Sequence, residues 1–437
     1  MHLGKEEFSV VNRPRSSQWT AIPMEEALKI VYDAVVPNLT KTVPVNLNRT
    51  GFVLAEQIIA THPYPQVRTS VKDGYAVIAT DGPGPKEVIT VTTAGSITDI
   101  VVRPGTCCRV STGSMIPEGA DAVVQVEDTA LLKHNNVEEL VVDIKTAVKS
   151  GTDIREVGSD ISIGQILLEK NCVLGSAEIG ILAASGRRHI EVYRKPKACV
   201  ITTGNELVDF TADDVPLGKI RDTNRPQLMA LLNSNGFKAI DGGIVSDTRK
   251  HICEALDVAF KFSDVLVITG GVSMGEKDLM KTVLQQDFGF TINFGRIFMK
   301  PGLPTTFATG KWRTDAQRFV FALPGNPVSS WVSAQLFVVP ALRKMAGYKY
   351  FEHTVIKVKL TESISLDRRP EYRRAWLDFR MFQEATPVAV CTSKNQLSSQ
   401  LLNTRGANLL LRLPGRTEEK PFVKEGEIVD ALIIGPI

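Results

Sequence analysis

No run of apolar residues in this 437-residue sequence is long enough to cross a bilayer as a helix. The nearest candidate, Leu336 to Leu342, is short and contains Pro340. The amino terminus reads MHLGKEEFSV, with no apolar core and no small-residue cleavage site, so a secretory signal is not expected. Charge of one sign is scarce as well. Lys and Arg total 51 against 48 Asp and Glu, a formal net charge of +3 that gives no reason to expect long-range attraction to nucleic acid or membrane. The six cysteines (Cys107, Cys108, Cys172, Cys199, Cys253 and Cys391) form no C-x-x-C pair, and the six histidines are scattered. Neither a disulfide framework nor a zinc centre is expected, and the cysteines read as reduced thiols of a cytoplasmic protein. No histidine neighbours a serine or cysteine in a nucleophile-like setting, so the chemistry should rest on a metal and on electrostatics.

What is present is ordinary for a globular chain: 43% hydrophobic and 23% charged residues. Residues 1–18 read as a flexible polar leader. Ala27, Leu28, Val31, Tyr32 and Val35 recur at helical spacing and predict a helix from Met24 to Val36, ended by Pro37. That apolar stripe reads as core packing or as a subunit contact. Residues 48–148 are β-rich, with the runs YAVIA, EVITVTTAG, CCRVSTGS, DAVVQVED and EELVVDI between Gly, Pro and Asp punctuation. A helix is expected at Ser176 to Ala184. Over 193–347 buried-strand patterns (KACVITTG, SDVLVITGG, RFVFALPG) alternate with helical ones, which predicts a doubly wound, mostly parallel sheet in an α/β multidomain chain. Residues 348–437 return to short strands and predict a small barrel or sandwich.

Ligands of open parallel sheets bind beyond the carboxyl ends of the strands. Four segments occupy such ends: Thr202 to Glu206, Gly243 to Asp247, Thr269 to Asp278, and Leu323 to Ser330. Gly270 and Gly271 permit a tight turn before a helix whose first N–H groups suit a phosphate, with Ser273 as a hydroxyl donor. A turn needing glycine for backbone reasons alone is an equal reading. The stretch is not a Walker A loop, because no G-K-[ST] follows. Glu206, Asp247 and Asp278 each follow a strand and could share a divalent cation such as Mg2+, or could simply be acids near helix starts. Lys300 sits in the stiff loop MKPGLP with Arg296 on the same stretch, a way to hold a cation for an oxyanion. Asp73 lies in an Asp-Gly turn, and Thr112 in a hydroxyl-rich STGS.

The ordered segments SVKDGYAV, STGSMIPEGADAVVQVED, GTDIREVGSDI, TTGNEL, GKIRDTNR, GGVSMGEKD, FMKPGLPTTFAT, LPGNPVS, RPEYRRA and KEGEIVDALIIG cover nearly the whole chain. Together they resemble the gephyrin E-domain or MoeA family, the molybdopterin molybdenumtransferases, in wording nearest its animal gephyrin-type members. The resemblance implies an N-terminal mixed domain from 19–47 and 149–192 that dimerises, with 48–148 inserted in it as a β-rich domain. An α/β molybdopterin-binding domain over 193–347 and a C-terminal β-barrel domain over 348–437 would follow. It implies a cytoplasmic homodimer that inserts molybdate into adenylated molybdopterin with release of AMP, using Mg2+ or another divalent cation. A separate adenylyltransferase would donate the substrate, and apo-molybdoenzymes would receive the product.

Carried residue by residue, the resemblance makes Asp278, Glu206, Asp247, Lys300 and Asp73 catalytic, with the first three as metal ligands. Ser273, Gly271, Thr112, Asp160, Pro324, Pro327, Ser329, Arg374 and Arg405 would bind substrate, the last two as candidate molybdate contacts, and Arg296 is added as a substrate-binding candidate from its place on the Lys300 stretch. Leu303 stands where a lysine is common in the family, Asn403 and Gly406 where serine is common, and Ser96 where an acid or amide is common. A gephyrin-like receptor-clustering scaffold is the alternative function. Its anchoring pocket would favour an aromatic in the first helix, and the aligned residue here is Leu28. A member that binds nucleotide without turnover is a further alternative.

Overall fold

The computed structural model describes residues 19–271, 279–378 and 386–437. The expected leader over 1–18 and two expected site residues, Ser273 and Asp278, lie outside the described residues. The chain divides into two compact units. One comprises the described part of Met1–Thr42 together with Gly51–Ala55 and Glu191–Ile437, and the other comprises Val43–Thr50 and Glu56–Ile190.

The first unit is built on a six-stranded sheet. Its order is Ala239–Val245, Ala198–Thr203, Val265–Thr269, Gln317–Leu323, Thr306–Lys311 and Thr291–Phe294. The first four strands are parallel, and the last two add on antiparallel. Ala198–Thr203 and Val265–Thr269 are buried at every position, as strands covered on both faces must be, which is why they read as unbroken apolar runs. Alternate residues feed two cores. Val200, Val267 and Phe321 pack with Met24, Ala27 and Val31 of the first helix, whereas Ile201, Ile268 and Val320 pack with Leu256 and Phe260 of the helix Arg249–Phe262. The first helix spans Met24–Ala34 and stops short of the expected Val36, because Val35 already turns extended on the approach to Pro37. Leu28 packs, partly buried, against the same core.

The helix that follows the Gln317–Leu323 strand has a defect with a clear cause. Pro327–Ser333 is α-helical, Ala334–Val338 forms a π-turn, and Val339–Met345 is α-helical again. Pro340 has no N–H, and in a regular α-helix its ring would press on the carbonyl four residues back. In the π-turn the ladder slips by one residue, so the Val339 N–H reaches Ala334 O.

The carboxyl-terminal strands Val355–Leu360, Val388–Cys391, Glu371–Asp378, Leu409–Leu413 and Ile428–Ile433 close into a barrel in that order. Val358, Ala375, Leu411 and Ala431 fill it. In the second unit the six strands Ala122–Gln125, Gly74–Val77, Thr106–Val110, Gly84–Thr92, Glu139–Ile144 and Thr129–His134 form one sheet. Tyr75 and Val124 face one core, and Ala76 and Val123 the other. The helix Ser176–Ala184 starts where expected, with the Glu178 carboxylate accepting the Gly175 N–H at 2.9 Å. All six cysteines are free thiols.

Candidate functional site

The parallel strands end level with one another: Thr203 pairs with Val245, Thr202 with Thr269, and Thr269 with Leu323. Beyond these ends opens a cavity of about 740 Å³ with Glu206, Asn224, Gly271, Pro324 and Pro327 in its wall. Gly270 and Gly271 have φ of +86° and +66°, and a Cβ on Gly270 would stand 2.3 Å from Thr203 O. The turn therefore requires glycine to clear the neighbouring strand, and the same feature lets backbone approach a ligand. Asp247 is outside the cavity wall, but its N–H donates to Asn205 Oδ1 at 3.2 Å. That bond ties the Glu206 and Asp247 loops through Asn205, whose carbonyl also accepts from the Lys219 ammonium. Neither Glu206 nor Asp247 is engaged by a lysine or arginine among the described residues. No group of three metal-ligating side chains closes up among them either, the third expected acid being Asp278.

Behind this wall sits a hub that the sequence reading passed over. Arg225, 3% exposed, donates to Asp222 at 3.0 Å, to Asp241 at 2.6 Å and to Asp209. It thereby joins the strand-end loop, the start of helix Asn224–Ser234 and the edge strand. The Asp222–Arg225 spacing of three, at a helix start, is the only local signal for it.

A second cavity of about 340 Å³ adjoins the first through Pro304, Pro324 and Asn326, and carries Lys300, Ser329, Arg369, Arg373 and Lys394. Its two sides come from the sheet and from the barrel. Lys300 is not an isolated cation: its ammonium lies 3.4 Å from Asp367 and 3.3 Å from Glu371, whose side chain is 1% exposed. Arg373 approaches Glu371 at 3.8 Å, and Arg369 reaches Asp367 at 3.1 Å. Burial alone would raise the pKa of Asp367, but hydrogen bonds from Arg369 and the charges of Arg369 and Lys300 outweigh it and hold the carboxyl below its usual range. The four cations face two carboxylates, which leaves an excess of two positive charges.

The three arginines expected at the substrate are not in the walls of these two cavities. Arg374 is completely buried and donates to Tyr372 O at 3.2 Å and Gln396 O at 3.0 Å; burial lowers its pKa to about 10. It cannot touch a ligand from there. It braces the Lys394–Ser398 wall from behind, since Gln396 in turn pairs with both the N–H and the C=O of Arg374. Arg405 is exposed in a third cavity of about 920 Å³ with Trp376 and Leu402. Arg296 lies outside the walls of all three cavities, and its buried Nε has no hydrogen-bond partner. Asn403, 4% exposed, donates to Leu397 O at 3.2 Å and so holds the same wall.

In the second unit Asp73 and Thr112 are brought together, the Thr112 N–H donating to Asp73 Oδ1 at 2.7 Å, and both are exposed. Asp160 is exposed in a turn whose N–H donates to Tyr64 O at 3.1 Å.

Residues 22–186 match the family described as MoeA N-terminal region (domain I and II), and residues 199–344 match a probable molybdopterin binding domain. The chain is 36% identical to gephyrin of Dictyostelium discoideum over 97% of its own length and 64% of that protein's. It is 37% identical to the molybdenum cofactor synthesis protein cinnamon of Drosophila melanogaster over 96% of its length and 67% of that protein's. It thus spans about two thirds of each of these relatives. With a molybdopterin molybdenumtransferase of Staphylococcus epidermidis it shares 30% identity over 95% of this chain and 96% of that protein. The crystal structure of a molybdopterin biosynthesis MoeA protein from Pyrococcus horikosii superimposes with a TM-score of 0.79 at 26% identity, covering 96% of this chain and all of that one. On sequence and on fold, the chain belongs to the MoeA family of molybdopterin molybdenumtransferases.

Proposed function

We propose that the chain is a transferase of molybdenum cofactor biosynthesis that inserts molybdate into adenylated molybdopterin and releases AMP. The observation that carries this reading is the pair of adjoining cavities. One offers a glycine turn and the Glu206 carboxylate, with Asp247 on the adjoining loop, and the other an excess of positive charge. A phosphate-bearing ligand fits the first, and a dianionic oxyanion fits the second.

In this reading the Gly270–Gly271 turn lets the pyrophosphate approach the backbone. Glu206 and Asp247, with Asp278, would hold Mg2+; the donor chemistry fits, because neither Glu206 nor Asp247 has a cationic partner among the described residues. The cation would offset phosphate charge at the bond that breaks. Lys300, Arg369, Arg373 and Lys394 hold the molybdate oxygens. Asp367 and Glu371 keep Lys300, Arg369 and Arg373 fixed, so the positions of these three do not have to change when the anion arrives. Pro324 and Asn326, which belong to both walls, set the distance between the two ligands. The reading includes a homodimer, in which Asp73, Thr112 and Asp160 of one subunit serve the substrate of the other. It also includes a separate adenylyltransferase that supplies the substrate, and apo-molybdoenzymes that take the product.

The test is a defined reconstitution with adenylated molybdopterin, molybdate and Mg2+, following AMP release and activation of an apo-molybdoenzyme. AMP release with active cofactor is the expected result, and Asp278→Ala should stay folded while AMP release is abolished. Binding of substrate without AMP release would sink the proposal.

A further inference from the structure

The π-turn leaves one backbone carbonyl without a helical donor. With the ladder slipped by one residue, Val339 serves Ala334 O, and the next carbonyl, Gln335 O, falls to residue 340. Residue 340 is proline and has no N–H. Gln335 is 1% exposed, so water does not substitute. The missing donor comes from outside the helix: His353 Nε2 lies 2.8 Å from Gln335 O.

His353 belongs to the barrel side of the molecule. It is 7% exposed and lies two residues before the first barrel strand, and its Nδ1 lies 3.0 Å from Ile433 O on the last one. Next to it, Gln335 Nε2 donates to Ile434 O at 3.5 Å. The ring is therefore wedged between the orphaned carbonyl of a sheet-covering helix and the closing strand of the barrel. Gln335 O has no helical donor to fall back on and makes the shorter contact, so the single N–H of a neutral imidazole is assigned to Nε2, and Nδ1 then has no proton to give Ile433 O.

The barrel and the sheet are also joined at the cationic cavity itself. Lys300 N–H donates to Pro370 O and Tyr372 N–H to Lys300 O, both at 2.8 Å, and Val328 N–H donates to Ser398 O at 3.2 Å. One seam alone would act as a hinge line, and a second attachment away from that line fixes the angle. The cavity takes Lys300 from the sheet side and Arg369, Arg373 and Lys394 from the barrel side, so that angle sets the spacing of its cations.

We propose that His353 is a positioning residue: by serving the carbonyl that Pro340 orphans, it sets the barrel against the sheet at the angle that closes the cationic cavity. The inference rests on the molybdate reading of that cavity. Its own mechanism, however, is the repair of Gln335 O, which can be tested separately.

The experiment measures molybdate and AMP binding by calorimetry and stability by urea unfolding, on the full chain. The variants are His353→Leu, His353→Gln, Pro340→Ala and the double variant His353→Leu with Pro340→Ala. His353→Leu should weaken molybdate binding about five- to ten-fold, as expected for one lost buried hydrogen bond, and leave AMP affinity within about two-fold. His353→Gln keeps a donor for Gln335 O and should bind molybdate like the wild type. Adding Pro340→Ala to His353→Leu restores an N–H within the helix and should recover part of the lost stability. An equal loss of molybdate and AMP affinity, or no recovery of stability in the double variant, would overturn the proposal. If the wild type binds no molybdate, the reading of the cavity fails with the positioning role, while the recovery of stability still decides whether His353 serves Gln335 O.

Discussion

Successive residues of an extended strand face opposite ways, and Arg373 and Arg374 show what that does to two identical side chains. Arg373 reaches the cationic cavity, whereas Arg374 is enclosed behind its wall. Arg373→Ala is expected to raise the KM for molybdate at least ten-fold and to lower the urea midpoint as well, because Arg373 faces the cavity but is 8% exposed and donates to Lys394 O at 2.7 Å. Arg374→Ala should chiefly lower stability, by about 2–4 kcal/mol, since it empties a fully buried site and strips donors from Tyr372 O and Gln396 O. A steady-state assay paired with urea titration separates the two, and equal behaviour of the variants would refute this division of labour. The sequence RRPEYRRA shows that arginines cluster here, but not which parity of the strand faces the cavity, because register depends on pairing with Leu409–Leu413. Lys300 was legible as a held cation, but its partners Asp367 and Glu371 were not, since they come from a distant stretch of chain.

The parallel strands and all five barrel strands could be read from the sequence, because strands buried on one or both faces carry strong apolar patterning. The antiparallel edge, Thr291–Phe294 with Thr306–Lys311, could not. TINF is too short to show a period, and TFATGK carries glycine and lysine where the strand leaves the core. The π-turn left one trace, Pro340, which marks a helix disturbance without saying how it is resolved. The Gly270–Gly271 turn was legible as a glycine turn, and its rigidity is now a prediction. Gly270→Ala places a Cβ on Thr203 O at a positive φ, so strain of about 1–3 kcal/mol from the backbone alone adds to a steric clash. The variant should show reduced AMP affinity with an altered melting temperature. Wild-type values for both would mean that the turn relaxes freely.

For the molecule as a whole, acid should act in two stages. Burial, with Arg343 on the neighbouring helix adding to it, lowers the pKa of His353 from 6.5 to about 4. Between those values the unfolded chain takes up a proton that the folded chain refuses, so stability falls as pH drops through that window. His353→Leu should lack this slope, which is worth up to about 1.4 kcal/mol per pH unit in urea unfolding measured across it. A second loss follows at lower pH. Asp264, which burial would push up, is pulled below its usual range by hydrogen bonds from Arg194 and the Lys197 N–H, and Asp367 is lowered likewise. The stability these two contribute is complete above the ordinary carboxylate pKa and disappears as pH falls through their depressed values.

The first helix shares its core with Phe337, Tyr372, Leu410 and Ile434. The second unit, by contrast, draws all its residues from Val43–Thr50 and Glu56–Ile190. During synthesis from the amino terminus, that unit can therefore close while the ribosome is still translating the sheet and barrel. Met24, Ala27 and Val31 must meanwhile wait with their apolar stripe uncovered until the sheet strands emerge, and their core is completed only by barrel residues such as Leu410. The loop to be closed is then already shortened by a folded body, which reduces the entropic cost of joining the two ends. The order of translation thus favours completing the inserted unit first, and the nascent helix is the segment most in need of a chaperone's cover.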